Sequence, residues 1–406
     1  MHKYVEKLLN GRKVEWRRLG DVAIVYNGLS GKSKSDFKNG KAKFVPYKNI
    51  FNNLEIDVTE LDKVKILENE QQNKVQYGDV LFTASSETLE EVGISSVVTS
   101  KNLNNIYLNS FSFGIRFNKD IELLPGFSKY LFRSTFLRKQ IIKTANGVTR
   151  FNISKERFKK IIIPIPPLYV QHEIVRVLDN FTELTAELTA ELSLRKKQYE
   201  YYRDKLLTFG DEVEWKELGE IAKISSGGTP KTSISEYYNG DIPWLRTQEI
   251  NFNEIWNTSK KITKLGLENS SAKWVPENSV ILAMYGATVG KVAINKIPLT
   301  TNQACANIQV DENIIHYKFL FYYLYNQYHY IKSLGTGSQT NINAQIVKKL
   351  KIPIPSIEKQ KEIVEILDKF DTLTNSITEG LPKEISLRQK QYEYYRDMLL
   401  DFKERE

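Results

Sequence analysis

Two stretches of the chain combine flexible glycines with cationic and amide side chains. One is Gly227-Gly228-Thr229-Pro230-Lys231 with Trp244-Leu245-Arg246-Thr247-Gln248; the other is Gly31-Lys32-Ser33-Lys34 with Tyr47-Lys48-Asn49. Lys and Arg in such loops contact phosphates, while Arg, Asn and Gln make hydrogen bonds to base edges. Asn302-Gln303 and Gln339-Thr340-Asn341 add amides in the second half, and Arg150 adds a cation to a glycine-marked loop in the first. Any one of these loops alone is an ordinary polar turn; matched loops in both halves point to recognition. The DNA-contact candidates are Lys32, Lys34, Lys48, Asn49 and Arg150, then Thr229, Lys231, Arg246, Thr247, Gln248, Gln303 and Gln339.

Covalent chemistry finds less support. Gly28-Leu29-Ser30-Gly31-Lys32-Ser33 mimics the end of a phosphate-binding loop, but Tyr26 stands where that loop needs its first glycine. Ile165-Pro166-Pro167-Leu168 is close to the Asn/Asp-Pro-Pro-aromatic motif of adenine methyltransferases, yet lacks the amide or carboxylate that would orient the target amine. Glu214-Trp215-Lys216 matches a nuclease Glu-x-Lys fragment without a convincing upstream Asp. Glu183, Glu187 and Glu191 sit four apart, the pattern of a solvated helix face. His2, His172, His316, His329 and the lone Cys305 have no metal-ligand spacing. The sequence shows no catalytic constellation and no metal site.

The elements that must carry the loops are legible from composition and repetition. The 406 residues allow two or three domains, and 41% hydrophobic with 26% charged residues describes a globular chain. No apolar run is long enough for a membrane span, no signal peptide is visible, and a single cysteine suits a reducing cytoplasm. The net charge of +9 is unevenly placed: residues 1–160 hold 28 Lys+Arg against 17 Asp+Glu, a net of +11. A basic first domain suggests a polyanionic partner, while the near-neutral remainder suits contacts with protein.

The chain is duplicated. Val14-Glu15-Trp16-Arg17-Arg18-Leu19-Gly20-Asp21 matches Val213-Glu214-Trp215-Lys216-Glu217-Leu218-Gly219-Glu220, and Ile163-Pro164-Ile165-Pro166 matches Ile352-Pro353-Ile354-Pro355. Ser193–Phe209 returns as Ser386–Phe402 with 14 of 17 positions identical. Between these anchors the halves diverge into short strands such as Ala23–Tyr26, Asp79–Phe82, Phe113–Phe117, Ser279–Leu282 and Lys291–Ile294, with one helix late in each half, around Ser128–Thr144 and Tyr317–Ser333. Two long helical arms follow the Ile-Pro-Ile-Pro stretches. Their apolar seams run Ile174, Leu178, Phe181, Leu184, Leu188, Leu192, Tyr199, Tyr202, Leu206 and Ile363, Leu367, Phe370, Leu373, Ile377, Leu381, Tyr392, Tyr395, Leu399. The second arm carries four extra residues, a stutter expected to leave the seam intact, and Gly380-Leu381-Pro382 predicts a kink or break there. Lys7-Leu8-Leu9-Asn10-Gly11 echoes Lys205–Gly210, so the N-terminus looks like the tail of an arm whose body the C-terminal arm supplies.

This arrangement resembles the specificity subunit of type I restriction-modification systems over essentially the whole chain. The resemblance rests on Trp16–Gly20 and Trp215–Gly219, Gly227-Gly228-Thr229-Pro230, Ile242-Pro243-Trp244, Thr301-Asn302-Gln303-Ala304, the paired Ile-Pro-Ile-Pro stretches and the Leu-Arg-x-Lys-Gln-Tyr arm ends. It implies an α+β chain: two mixed α/β target-recognition domains separated by a pair of long antiparallel coiled-coil helices, in a circular pseudo-two-fold arrangement. The implied segments are 1–157 and 211–350 for recognition, and 158–210 and 351–406 for the arms. It further implies that the chain reads a bipartite site on double-stranded DNA and docks two methyltransferase subunits, to which restriction subunits add. Tyr199, Tyr202, Leu206, Tyr392, Tyr395 and Leu399 are the expected docking residues. The chain is then no enzyme alone and holds no cofactor; S-adenosylmethionine, ATP and magnesium belong to the partners. The first half departs from the pattern, with Asn27-Gly28-Leu29-Ser30 for Gly-Thr-Pro and Tyr107-Leu108-Asn109-Ser110 for Thr-Asn-Gln-Ala. The competing readings are a fused restriction or methylation enzyme and a protein-binding coiled-coil scaffold without DNA readout.

Overall fold

The computed structural model describes residues 2–37, 40–335 and 341–402. The chain divides into two compact units, Met1–Leu188 with Ile385–Glu406, and Thr189–Glu384. Those divisions cut both arms, so each unit contains the start of one arm and the end of the other.

In the first unit an antiparallel sheet runs in the order Ala23–Asn27, Ser112–Phe117, Val80–Thr83, Ser95–Val97. Val80–Thr83 is buried throughout because its alternate side chains enter two cores. Val80 and Phe82 face the helices with Phe127, Leu131, Leu137 and Ile141, while Leu81 faces Val45, Ile50 and Leu108. Phe82 lies 5.3 Å from the rings of Phe113 and Phe132 and 4.9 Å from Phe158. Two smaller sheets flank it: Asp62–Val64, Ala42–Val45, Ile106–Leu108, and Ala145–Asn146, Phe151–Ile153, Ser85–Ser86. The helix expected around Ser128–Thr144 is two helices, Pro125–Leu131 and Thr135–Lys143; Ser134 restarts the second by accepting from the Leu137 N–H.

The second unit repeats this plan. Its sheet runs Ala222–Ser226, Cys305–Val310, Val280–Ala283, Val292–Asn295, Asn253–Ile255, and a small sheet pairs Lys261–Ile262, Tyr238–Leu245 and Thr300–Thr301. The expected late helix is again split, into Tyr317–Asn326 and Tyr328–Ser333.

The paired sequence anchors turn out to be partners. Ile162–Ile165 pairs with Glu15–Arg18, placing Pro164 opposite Trp16, and Lys351–Ile354 pairs with Glu214–Glu217, placing Pro353 opposite Trp215. A two-stranded ribbon is all edge, which is where prolines are tolerated in a ladder.

Each ribbon leads into an arm. The first is one helix, Leu168–Leu206, of 39 residues, about 58 Å at 1.5 Å per residue. The second is two helices, Ile357–Asn375 and Gly380–Leu399. The four extra residues are not absorbed as a helical stutter; they form the non-helical link Ser376–Glu379, and the chain re-enters helix at Gly380 with φ +71°. Ile377, expected in the seam, lies in that link and is 82% exposed. Phe181 stacks on Tyr395 at 5.1 Å within the first unit, and Tyr202 and Tyr199 stack on Phe370 at 5.6 and 6.0 Å within the second. Within the first unit, the N-terminal helix Lys3–Leu9 places Val5 and Leu9 in one core with Tyr392, Leu399, Leu400 and Phe402 at the end of the second arm.

A buried glutamine fixes each unit to its arm. Gln171 accepts from the Leu124 N–H (2.9 Å) and donates to the Glu122 and Pro166 carbonyls (both 2.8 Å). Gln360 accepts from the His316 N–H (2.7 Å) and donates to Ile314 and Pro355 (3.1 and 2.9 Å). Tyr130 donates to Asp179 and Tyr322 to Asp368, each at 2.6 Å.

Candidate nucleic-acid interface

The loops singled out from sequence stand on one backbone frame, built twice. Gly28 N–H donates to the Ser112 carbonyl as Gly227 does to Cys305, and Leu29 donates to Leu108 as Gly228 does to Thr301. Asn109 donates to Val45 as Asn302 does to Leu245; Ala84 to Phe111 as Met284 to Ala304; Ile153 to Ala84 as Ile342 to Met284. A side chain cannot be added at the leading glycine of either unit. A Cβ on Gly28 would stand 1.9 Å from the Asn109 carbonyl oxygen, and one on Gly227 would stand 2.2 Å from that of Thr301. The same asparagine seals both corners: the Asn109 side-chain oxygen accepts from Ser112 Oγ and the Asn302 side-chain oxygen from Cys305 Sγ, both at 3.1 Å. Leu108-Asn109-Ser110 therefore answers Thr301-Asn302-Gln303, one residue out of step with the comparison made from sequence alone.

Side chains presented on that frame differ at nearly every position. Pro46, Tyr47 and Lys48 stand where the second unit has Arg246, Thr247 and Gln248; Ser85 and Ser86 answer Tyr285 and Gly286; Ser110 answers Gln303. Gln339, a candidate from sequence, lies outside the described residues.

In the second unit the frame brings Thr229 and Gln303 into direct hydrogen-bond contact. Trp244, buried, donates its indole N–H to the Gly228 carbonyl at 2.9 Å and so pins the glycine loop. Arg246 reaches Ser259 Oγ at 3.4 Å, and its buried Nε has no partner among the described residues. Gln248, Gln303 and Lys231 are exposed. Thr247 is a correction: it is buried, and its carbonyl accepts from Thr288 Oγ1 at 2.7 Å, so it braces the loop and presents no side chain outward.

In the first unit Lys34, Lys48 and Arg150 are exposed. Two candidates are corrected. The Lys32 ammonium is spent inside the chain, on Glu70 at 2.5 Å and on the Lys65 carbonyl at 2.7 Å, and its side chain is 5% exposed. Asn49 is 1% exposed and uses its amide to hold the Asp57 and Glu60 carbonyls (2.8 and 2.9 Å). Both residue types suit recognition, but the first half needs them to tie its own loops.

Sequence reasoning missed a groove of about 400 Å³ on this unit, lined by Tyr47, Phe51, Ser85, Ser86, Glu87, Glu91, Phe111 and Arg150. Tyr47 and Phe51 stack at 6.0 Å along one wall, and Phe111 is 62% exposed. Two half-buried arginines brace the walls. Arg133 donates to the Ile50, Phe51 and Asn53 carbonyls at the end of helix Tyr47–Asn52, and Arg138 to the Glu90, Val92 and Gly93 carbonyls under the acidic loop. Partial burial, with no carboxylate partner among the described residues, lowers both guanidinium pKa values to about 10, so both stay charged at neutral pH. Its lining residues come from separate stretches of the chain, so no local pattern in the sequence marked the groove.

The arms also differ from expectation. Tyr199, Tyr392 and Leu399 are buried within the units, so they serve the chain's own cores and offer nothing to a partner. Leu206 is half-buried, and Tyr202 and Tyr395 expose one edge beyond their stacking contacts. The most exposed apolar residues of the arm helices are Leu194 and Tyr201 on one arm and their repeats Leu387 and Tyr394 on the other, seven apart and so on one face each. Among the described residues no group of His, Cys, Asp and Glu is placed to hold a metal, and no helix is long and apolar enough to cross a membrane.

A duplicated reading frame on shared helical arms defines the class, and the comparisons agree with it. Residues 12–194 and 210–387 match the type I restriction modification DNA specificity domain. The chain belongs to that family, and this places it in a type I restriction-modification system as the specificity component. It is 48% identical over 270 residues to the EcoR124I/EcoR124II type I restriction enzyme specificity subunit of Escherichia coli, an alignment spanning 62% of this chain and 65% of that one. It is 31% identical over 404 residues to the EcoprrI type I specificity subunit of the same species, covering 93% and 92% of the two chains. A chain from a solved structure concerned with assembly and conformational transition of the type I system shares the fold, with TM-score 0.64 and 17% identity over 96% of this chain and 98% of that one.

Proposed function

We propose that each unit reads one half of a bipartite DNA sequence, that the arms set the distance between the halves, and that the chain holds two methyltransferase subunits to which restriction subunits add. The observation that carries this reading is one backbone frame presenting two different sets of side chains. A bipartite reader needs the half-sites to be read differently while the geometry that presents them stays constant. The exposed cations Lys34, Lys48 and Lys231 suit phosphates, and Arg150, Arg246, Gln248 and Gln303 suit base edges. The outward Leu194/Tyr201 and Leu387/Tyr394 faces suit protein docking by aromatic anchors. S-adenosylmethionine, ATP and magnesium act on the partner subunits in this reading, and this chain supplies position alone.

Mapping methylated bases across the host genome tests the proposal. A split motif of two fixed halves around an unread spacer, lost when the gene for this chain is deleted, is the expected result. Methylation that ignores sequence, or a motif that survives the deletion, would leave the chain as a scaffold without readout.

A further inference from the structure

We propose that the groove of the first unit reads a cytosine–guanine pair, with Glu91 accepting from the cytosine amine and Arg150 donating to guanine. This rests on the proposed DNA-reading role and assigns it a specificity-determining pair. The first unit carries the chain's basic excess, and a carboxylate on a surface facing phosphates is repelled unless it meets a donor. In the major groove the only base-edge donors are the amines of cytosine and adenine.

The geometry prepares Glu91 for that meeting. Ser86 Oγ (3.2 Å) and Thr88 Oγ1 (2.8 Å) both donate to its Oε2, which leaves Oε1 for an outside donor. Arg138 holds the backbone beneath it at Glu90, Val92 and Gly93. Arg150 is anchored by the neighbouring serine, its Nη2 donating to Ser85 Oγ at 3.2 Å, so four of its five donors stay available. The two charges are held by adjacent hydroxyls, and among the described residues they form no ion pair with each other. A carboxylate beside a guanidinium matches one amine next to two acceptors, which is the edge of a cytosine–guanine pair. An adenine–thymine pair alternates acceptor, donor and acceptor, and suits an amide better. Tyr47 and Phe111 flank the charges with apolar surface.

The test is methylation mapping in the native host with Glu91→Gln and Arg150→Ala encoded in place. Wild type is expected to show a cytosine–guanine pair in one half-site. Both variants should relax that same position, by about 5- to 150-fold in relative methylation, with the other half-site and the spacer unchanged. Glu91→Gln should newly admit adenine there, because a carboxamide both donates and accepts. Unchanged motifs, or relaxation at two different positions, would overturn the assignment while leaving bipartite readout standing. So would loss of all methylation by a variant whose purified chain melts as wild type does. If Glu91→Gln lowers the melting temperature, the exposed Arg150→Ala alone decides. A wild-type chain with no sequence preference would instead remove the DNA-reading role itself.

Discussion

Replacing Gln171 by Leu should loosen the first unit from its arm and leave the second unit intact. The amide is fully buried and meets the Leu124 N–H and the Glu122 and Pro166 carbonyls at 2.8–2.9 Å. Leucine keeps the volume and removes every polar contact, so one buried and two part-buried backbone groups lose their partner. At about 1–3 kcal/mol for each such group, and less for carbonyls with a second route to water, the cost is about 4 kcal/mol. Hydrogen exchange read by mass spectrometry resolves the two units, which a single global melt of a two-unit chain does not. Amides around Leu124 and the start of the first arm should exchange roughly a thousandfold faster, since each 1.4 kcal/mol is about tenfold. Gln360→Leu should do the same to the second unit only. A change below about tenfold, or equal loosening of both units by either variant, would refute the view that these glutamines are equivalent and independent joints.

Other outcomes follow from the same contacts. Gly227→Ala should abolish recognition of one half-site and spare the other, because its Cβ would meet the Thr301 carbonyl oxygen at 2.2 Å; methylation mapping reads this directly. Inserting four residues into the exposed middle of the first arm lengthens it by about 6 Å, and should alter the unread spacer without altering either half-site. Glu173 is drawn down from 4.5 to about 2 by its hydrogen bonds with Arg176 and Tyr4. Its hold on the N-terminal helix should therefore be complete above about pH 4.5 and fade as pH falls towards 2; exchange of residues 3–9 across that range, compared with Tyr4→Phe, checks it. Burial raises the Cys305 thiol to about 12, so disulfide-reagent labelling at pH 8 should be slow in the native chain and fast after unfolding.

Much of the frame could be read from the sequence because duplication marks what both halves must keep. The paired Trp and Ile-Pro-Ile-Pro motifs, the glycine loops and the arm ends are repeated, and the structure joins them as ribbons, corners and helix contacts. The break near Gly380 was visible for the same reason, since four added residues and a proline interrupt an otherwise matched arm. Other features depend on tertiary contacts that residue type does not reveal. Lys32 and Lys34 are the same residue type two positions apart, yet only Lys32 meets Glu70. Tyr199 and Tyr201 sit two apart on one helix, which is enough to bury the first and expose 60% of the second. The groove at Glu91 and Arg150 joins segments from four parts of the chain, and no local spacing announces it.

The most direct measurement exchanges residues 222–342 for the corresponding segment of another family member with a different target, and maps methylation in the host. One half of the motif should change while the other half and the spacer stay as they were. Change in both halves, or in neither, would contradict two independent readers on one frame.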